Sequence, residues 1–175
     1  ADLSILTDKA STSEVAVFVD EKTYEYSTYE FGATYQIYTS LYLEQRFNLG
    51  TMGAPYDIYR IDDLCNDKVA DYKVNIILSP YQISEEQRAA IDKELKRDGK
   101  ILIWVFAPGL SDGNEVDVAN ISALTNINLA LKKEQCRLNV TFKDSTVVFH
   151  DATWNADRIP ALAIIVEQGG GSISN

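Results

Sequence analysis

The chain has 175 residues, 46% of them hydrophobic, which is enough for one main domain with a substantial core. Sixteen Lys and Arg against 26 Asp and Glu give a formal charge of −10, and the basic residues are scattered, which argues against nucleic acid and anionic membranes as partners. No apolar run approaches the roughly 20 residues needed to span a bilayer, and the opening ADLSILTDKASTSE lacks the charged and apolar regions of a signal peptide.

Both ends read as cuts, because the first residue is not Met and the last are GGGSISN, a flexible sequence suited to lead into another domain. Residues 1–13 and 169–175 are therefore expected to be linkers around a domain at 14–168. Cys65 and Cys136 have neither metal-ligand spacing nor the density of a disulfide scaffold, and the compartment stays open.

In chain order, EVAVFVD at 14–20 predicts a central first strand, with Ala16 and Phe18 on one face and Val15, Val17 and Val19 on the other. The polar and aromatic EKTYEYSTYEFG that follows is expected to be a long loop beyond that strand's carboxyl end, where the ligand crevices of α/β sheets open. Ile37 and Leu41, with Tyr38 and Tyr42, place an apolar stripe on a helix over residues 33–48, and Gly50 and Gly53 break it. A second strand is expected at 56–61, followed by a short helical turn opened by Asp62 and Asp63.

Residues 72–109 form a complete β-α-β unit. The apolar runs at 74–78 and 101–106 predict strands buried on both faces of a parallel sheet. Ser84 and Gln87 have the spacing of a capping box, Ile91 and Leu95 share one helix face, and Gly99 stands where a left-handed C-cap is expected. Residues 107–118, with Pro108, Gly109 and Gly113, predict an exposed loop, and Asn120 is placed to cap a short helix through Leu124. Short β-like runs at 129–131, 137–142, 146–149 and 161–166 then predict hairpins or a sheet extension.

Little of this carries recognisable chemistry. His150, the single histidine, ends a late strand beside Asp151, where a surface or capping role is the simpler reading. There is no GxSxG or GxCxG elbow, no phosphate loop and no GxGxxG, so no catalytic residue, cofactor or metal is assigned. Asp62 with Asp63, and Glu85 with Glu86, read as helix-start acids rather than as a glycosidase pair, because sequence neighbours on a helix rarely meet across a substrate. Six of the ten tyrosines fall between Tyr24 and Tyr42. Tyr35, Tyr38 and Tyr42, with Trp154, are the candidates for an interface with another subunit or domain. Trp104 is assigned to the core.

The order of VAVFVDEKTYEY, GAPYDIYRIDDL, DYKVNIILSPYQISEEQRAAIDKELKRDGKILIWVFAPG and NISALTNI resembles the domain that follows the catalytic barrel in β-galactosidase-like glycoside hydrolases, often called the trimerisation domain. The likeness spans residues 14–127. It implies a three-layer α/β/α fold with a mainly parallel, flavodoxin-like sheet similar to class I glutamine amidotransferases; the C-terminal β extension is read from the later β-like runs, beyond the likeness. In the amidotransferase relatives a nucleophilic cysteine follows a strand in a glycine-bounded elbow; here the strand at 101–106 leads into Ala107, Pro108 and Gly109, so fold carries over and chemistry does not.

The implied function is that of a noncatalytic domain of a carbohydrate-active enzyme, mediating oligomerisation or packing against other domains of the same polypeptide. The second reading is a binding module whose crevice, lined by Asp20, Glu21, Ser79, Tyr81, Ala107 and Gly109, holds a small polar ligand such as a sugar. A third is a hydrolase or amidotransferase using Ser79 or Cys65 as nucleophile, with no base positioned by the sequence.

Overall fold

The computed structural model describes residues 11–26, 45–78, 80–97, 99–132, 139–140, 152–153 and 163–166. Four strands, β1 (Val15–Val19), β2 (Tyr56–Arg60), β3 (Val74–Leu78) and β4 (Ile101–Val105), form one all-parallel sheet in the order β2-β1-β3-β4. The register runs from Val15 opposite both Tyr56 and Val74 to Val74 opposite Ile101. This is a flavodoxin-like α/β arrangement. Strand order reverses between β1 and β3, the position at which such sheets open a crevice at their carboxyl edge.

Alternation along β1 separates two cores. Ala16 and Phe18 join Ile77 on one face, where Ile91 of the helix α2 (Glu85–Glu94) and its C-cap Leu95 pack on them. Val15 and Val17 join Ile76 and Leu78 on the other, met by Leu49 from the helix α1 (Gln45–Gly50). The steps from β1 to β2 and from β3 to β4 run outward in opposite directions, so one hand of crossover places α1 and α2 on opposite faces and makes three layers. Of the helix expected over 33–48, only its end lies within the described residues.

The α2 helix begins as its sequence predicts. The Gln87 N–H donates to Ser84 Oγ over 3.1 Å, and the Ser84 N–H donates to Gln87 Oε1 over 2.9 Å. Gly99 has a positive φ of 75°, but it sits in the turn beyond the helix, which closes at Leu95 in a right-handed conformation. The chain after β1 winds into a 3-10 helix (Glu21–Tyr26), and that after β2 into another (Ile61–Asn66) whose Ile61 and Leu64 reach the core on the α2 side.

Three local expectations are corrected. Helix α3 (Val118–Thr125) is capped by Asp117, whose Oδ1 accepts from the Ala119 N–H at 2.7 Å, while Asn120 Nδ2 donates to the Leu110 carbonyl at 3.3 Å. Both residues are good caps; the earlier one wins because the Asp117 N–H is already held by the Leu110 carbonyl at 3.0 Å. Ala107, Pro108 and Gly109 are buried instead of lying in an exposed loop. Among the described strands β4 is an edge, and it is not covered on both faces: Leu102 and Trp104 pack on the α2-side core, but Ile101 and Ile103 on the opposite face are 57% and 43% exposed. Late in the chain, β5 (Leu129–Lys132) pairs antiparallel with β8 (Ala163–Val166), and β6 (Asn139–Val140) with β7 (Ala152–Thr153), as two small separate sheets.

Candidate functional site

Three turns leave the carboxyl edge of the sheet and meet in one polar cleft. After β1, buried Asp20 accepts from the Lys22 N–H at 3.0 Å and from the Thr23 hydroxyl at 2.9 Å, which winds the chain into its 3-10 helix. Thr23 Oγ1 in turn accepts from the Tyr81 N–H at 3.2 Å, tying the turn after β1 to the turn after β3 across the strand-order reversal. After β2, the Arg60 N–H donates to Asp63 Oδ2 at 2.9 Å, and Asn66 Nδ2 donates to the Asp62 carbonyl at 2.9 Å. Gln87 closes the frame: its Nε2 donates to Asp62 Oδ1 at 2.6 Å while its Oε1 caps α2. One buried amide thus joins the connection after β2 to the helix after β3.

The cleft they enclose is about 500 Å³ and includes Lys22, Arg60, Asp62, Cys65, Gln82 and Glu86 in its lining. Its charges are mixed. Lys22 Nζ lies 3.7 Å from Asp62 and Arg60 Nη2 lies 3.8 Å from Asp63, and both cations are more than half exposed, so each pair contributes little to stability. Donors and acceptors of both signs side by side suit an uncharged polar molecule better than a phosphate, which asks for converging cations and backbone N–H groups. Burial, then the Glu86 and Asp62 carboxylates, push the Cys65 thiol up from its ordinary range. That environment holds the thiol protonated, the opposite of what activates a nucleophile.

The turn after β4 is built differently. Phe106 adopts a positive φ of 54° and is 46% exposed, whereas Ala107 and Gly109 after it are buried. The Gly109 N–H donates to the Pro80 carbonyl at 2.7 Å and clamps this turn to the one after β3. A left-handed backbone on an aromatic residue costs roughly 1–3 kcal/mol and persists only where its surroundings enforce it. Here the Gly109–Pro80 clamp does so.

Asp20 and Tyr81 are brought together through Thr23, and Glu21 is exposed beside them. Ala107 and Gly109 are buried, Gly109 against Leu124 and Ile83. Of the expected crevice residues that are described, none lines the 500 Å³ cleft. Ser79, Tyr35, Tyr38, Tyr42 and Trp154 lie outside the described residues, as do His150 and Cys136. Sequence reasoning read Asp62 and Gln87 as local helix starts, and their mutual bond is a tertiary fact; Arg60, Gln82 and Phe106 gave no local signal at all. Among the described residues no group of acids, cysteines or histidines has the geometry of a metal site, and no helix is long and apolar enough to cross a membrane.

Fold and site together define an α/β protein with a flavodoxin-like parallel sheet and a mixed-charge polar cleft at its carboxyl edge. No protein-family model, curated protein or solved structure is significantly similar to the chain.

Proposed function

We propose that the chain is a noncatalytic domain of a carbohydrate-active enzyme, similar to the domain that follows the barrel in β-galactosidase-like glycoside hydrolases, and that it works by packing against another domain or subunit. The observation that carries this is the turn after β4. It has the strained backbone of an elbow at the carboxyl end of a parallel strand, yet the side chain it presents is the phenyl ring of Phe106. A ring there supplies apolar contact and no nucleophile. Ile101 and Ile103 continue the apolar surface along the same strand, which is the composition of a packing face.

The test is turnover. The chain is assayed with aryl galactosides and with glutamine beside Ser79→Ala and Cys65→Ala. A noncatalytic domain gives no turnover that either substitution removes; turnover lost with one of them would make the protein an enzyme.

The cleft favours a second role, the holding of a small neutral polar ligand such as a sugar, since its volume and its mixed donors and acceptors fit one. Saturable binding of galactose would support that role.

A further inference from the structure

The cleft at the carboxyl edge of the sheet has an unusual lining for a sugar site. Its described walls are charges, amides, a hydroxyl and a thiol, with no aliphatic or aromatic side chain among them. A sugar ring has apolar C–H faces that gain from being covered by apolar groups, and this lining offers none.

The charges of the lining are unequally used. Asp62 is committed to the frame, since its Oδ1 accepts from Gln87 Nε2 at 2.6 Å. Lys22 Nζ stands 3.7 Å from Asp62, and the Arg60 guanidinium stands 3.8 Å from Asp63, whose other oxygen accepts from the Arg60 N–H. Neither distance is that of a hydrogen bond, so the donors of both cations are open to another acceptor. Glu86, in the first turn of α2, is exposed and makes no hydrogen bond or ion pair with a described residue. After burial, its carboxylate is the strongest influence raising the Cys65 thiol, which places Glu86 beside Cys65.

The 3-10 helix sets the spacing between the two signs. Asp62 and Cys65 are three residues apart in it and therefore share one face, one turn or about 6 Å from each other. The open cations stand at the Asp62 end of that face, and the open carboxylate at the Cys65 end. An extended dipeptide separates its terminal charges by roughly 7 Å, at about 3.5 Å per residue, whereas a single amino acid spans half of that.

We infer that the cleft binds a short peptide by its two free termini, a dipeptide-sized zwitterion whose carboxylate lies on Lys22 and Arg60 and whose ammonium lies on Glu86. This rests on the second role proposed above, the holding of a small neutral polar ligand, and names its class: no net charge, but both signs. Each terminus makes charge-assisted hydrogen bonds, and the amides of the lining suit the peptide group between them. The formal charge of −10 repels anions at a distance and leaves a net-neutral ligand unopposed. With no apolar wall to read a side chain, recognition is of the termini, and glycylglycine carries everything it needs.

The test is isothermal titration of the full chain with glycylglycine, N-acetyl-glycylglycine, glycylglycine amide, glycine and galactose. Saturable binding of glycylglycine is expected, with each of the two blocked forms and glycine weaker by roughly tenfold or more, the loss of one charged hydrogen bond. Glu86→Gln is expected to weaken glycylglycine about tenfold and to leave the N-acetyl form, which has no ammonium, unchanged. Arg60→Gln is expected to weaken glycylglycine similarly and to leave the amide unchanged. Both side chains are well exposed, so the melting temperature of either variant is expected to match the parent. Equal binding of glycylglycine and its blocked forms, or of glycine, would overturn the proposal, as would glycylglycine binding indifferent to both substitutions. Galactose binding without glycylglycine binding would overturn it while leaving the neutral-ligand role in place; saturable binding of neither would overturn both.

Discussion

Gly109 donates its main-chain N–H to the carbonyl of Pro80 over 2.7 Å, and this bond joins the turn after β4 to the turn after β3. Gly109 has a φ of 67°, and a Cβ there would lie 2.9 Å from Leu124 Cδ2 and 3.4 Å from Ile83 Cγ1. Both the backbone and the space demand glycine. Gly109→Ala is expected to destabilise the fold by about 2–4 kcal/mol, combining left-handed strain with overpacking. Urea denaturation would show it as a lower midpoint with an unchanged slope.

At the opposite edge of the sheet, the Tyr72 hydroxyl donates to Asp57 Oδ2 at 2.7 Å and lies 2.6 Å from the Tyr59 hydroxyl. Tyr72 has one proton and gives it to the carboxylate, so Tyr59 must donate to Tyr72. Hydrogen bonds from Ser11 first, then Tyr72, hold the Asp57 carboxyl below its ordinary 3.8. Burial, then the bonds to Tyr59 and Asp57, push the Tyr72 hydroxyl well above 10. The signs differ at the two ends of the pH range. A depressed acid contributes stability that is present above its unfolded pKa and is lost as pH falls through and below 3.8; a raised phenol contributes stability that is present below 10 and is lost as pH rises beyond it. Tyr72→Phe is expected to cost about 1–3 kcal/mol at neutral pH and to flatten the alkaline and the acid decline each in part. Chemical denaturation at pH 3, 7 and 11 would measure all three effects.

The capping of α3 gives a smaller and sharper contrast. Asp117→Ala is expected to destabilise the protein by about 1 kcal/mol, because it frees the Ala119 N–H. Asn120→Ala is expected to cost less, since it removes one long 3.3 Å bond to Leu110. Paired thermal melts would separate them.

That pair also marks where sequence stops being legible. The alternation of residues 15–19 named both faces of β1 correctly because the strand is central and each face meets its own core. Ser84 and Gln87 named the start of α2 because both partners of the capping box lie within three residues. Asp117 and Asn120 are equally good caps in isolation, and only the Leu110 carbonyl, brought there by the folded turn, decides between them. Strands β3 and β4 read alike as apolar runs, since periodicity reports faces and is silent about neighbours. The cleft was hidden for the same reason: Asp62 and Gln87 are 25 residues apart and meet only when the sheet is assembled.

Arg60 lines the cleft with its side chain about half exposed and engaged only loosely with Asp63 at 3.8 Å. Arg60→Ala is therefore expected to leave the melting temperature within a degree or two while weakening any saturable galactose binding by roughly tenfold, the loss of one charged hydrogen bond to a ligand. Isothermal titration of the two proteins would measure it.

The central claim, that this α/β domain acts through an apolar packing edge on β4, is tested most directly by residue-resolved hydrogen exchange of the full chain at low and high concentration. The amides of Ile103 and Val105 face β3 and are expected to be protected at both. Those of Leu102 and Trp104 face away from β3 and are expected to exchange faster at both. Rapid exchange at Ile103 and Val105 alongside Leu102 and Trp104 at every concentration would contradict it, because β4 would then present no ordered edge.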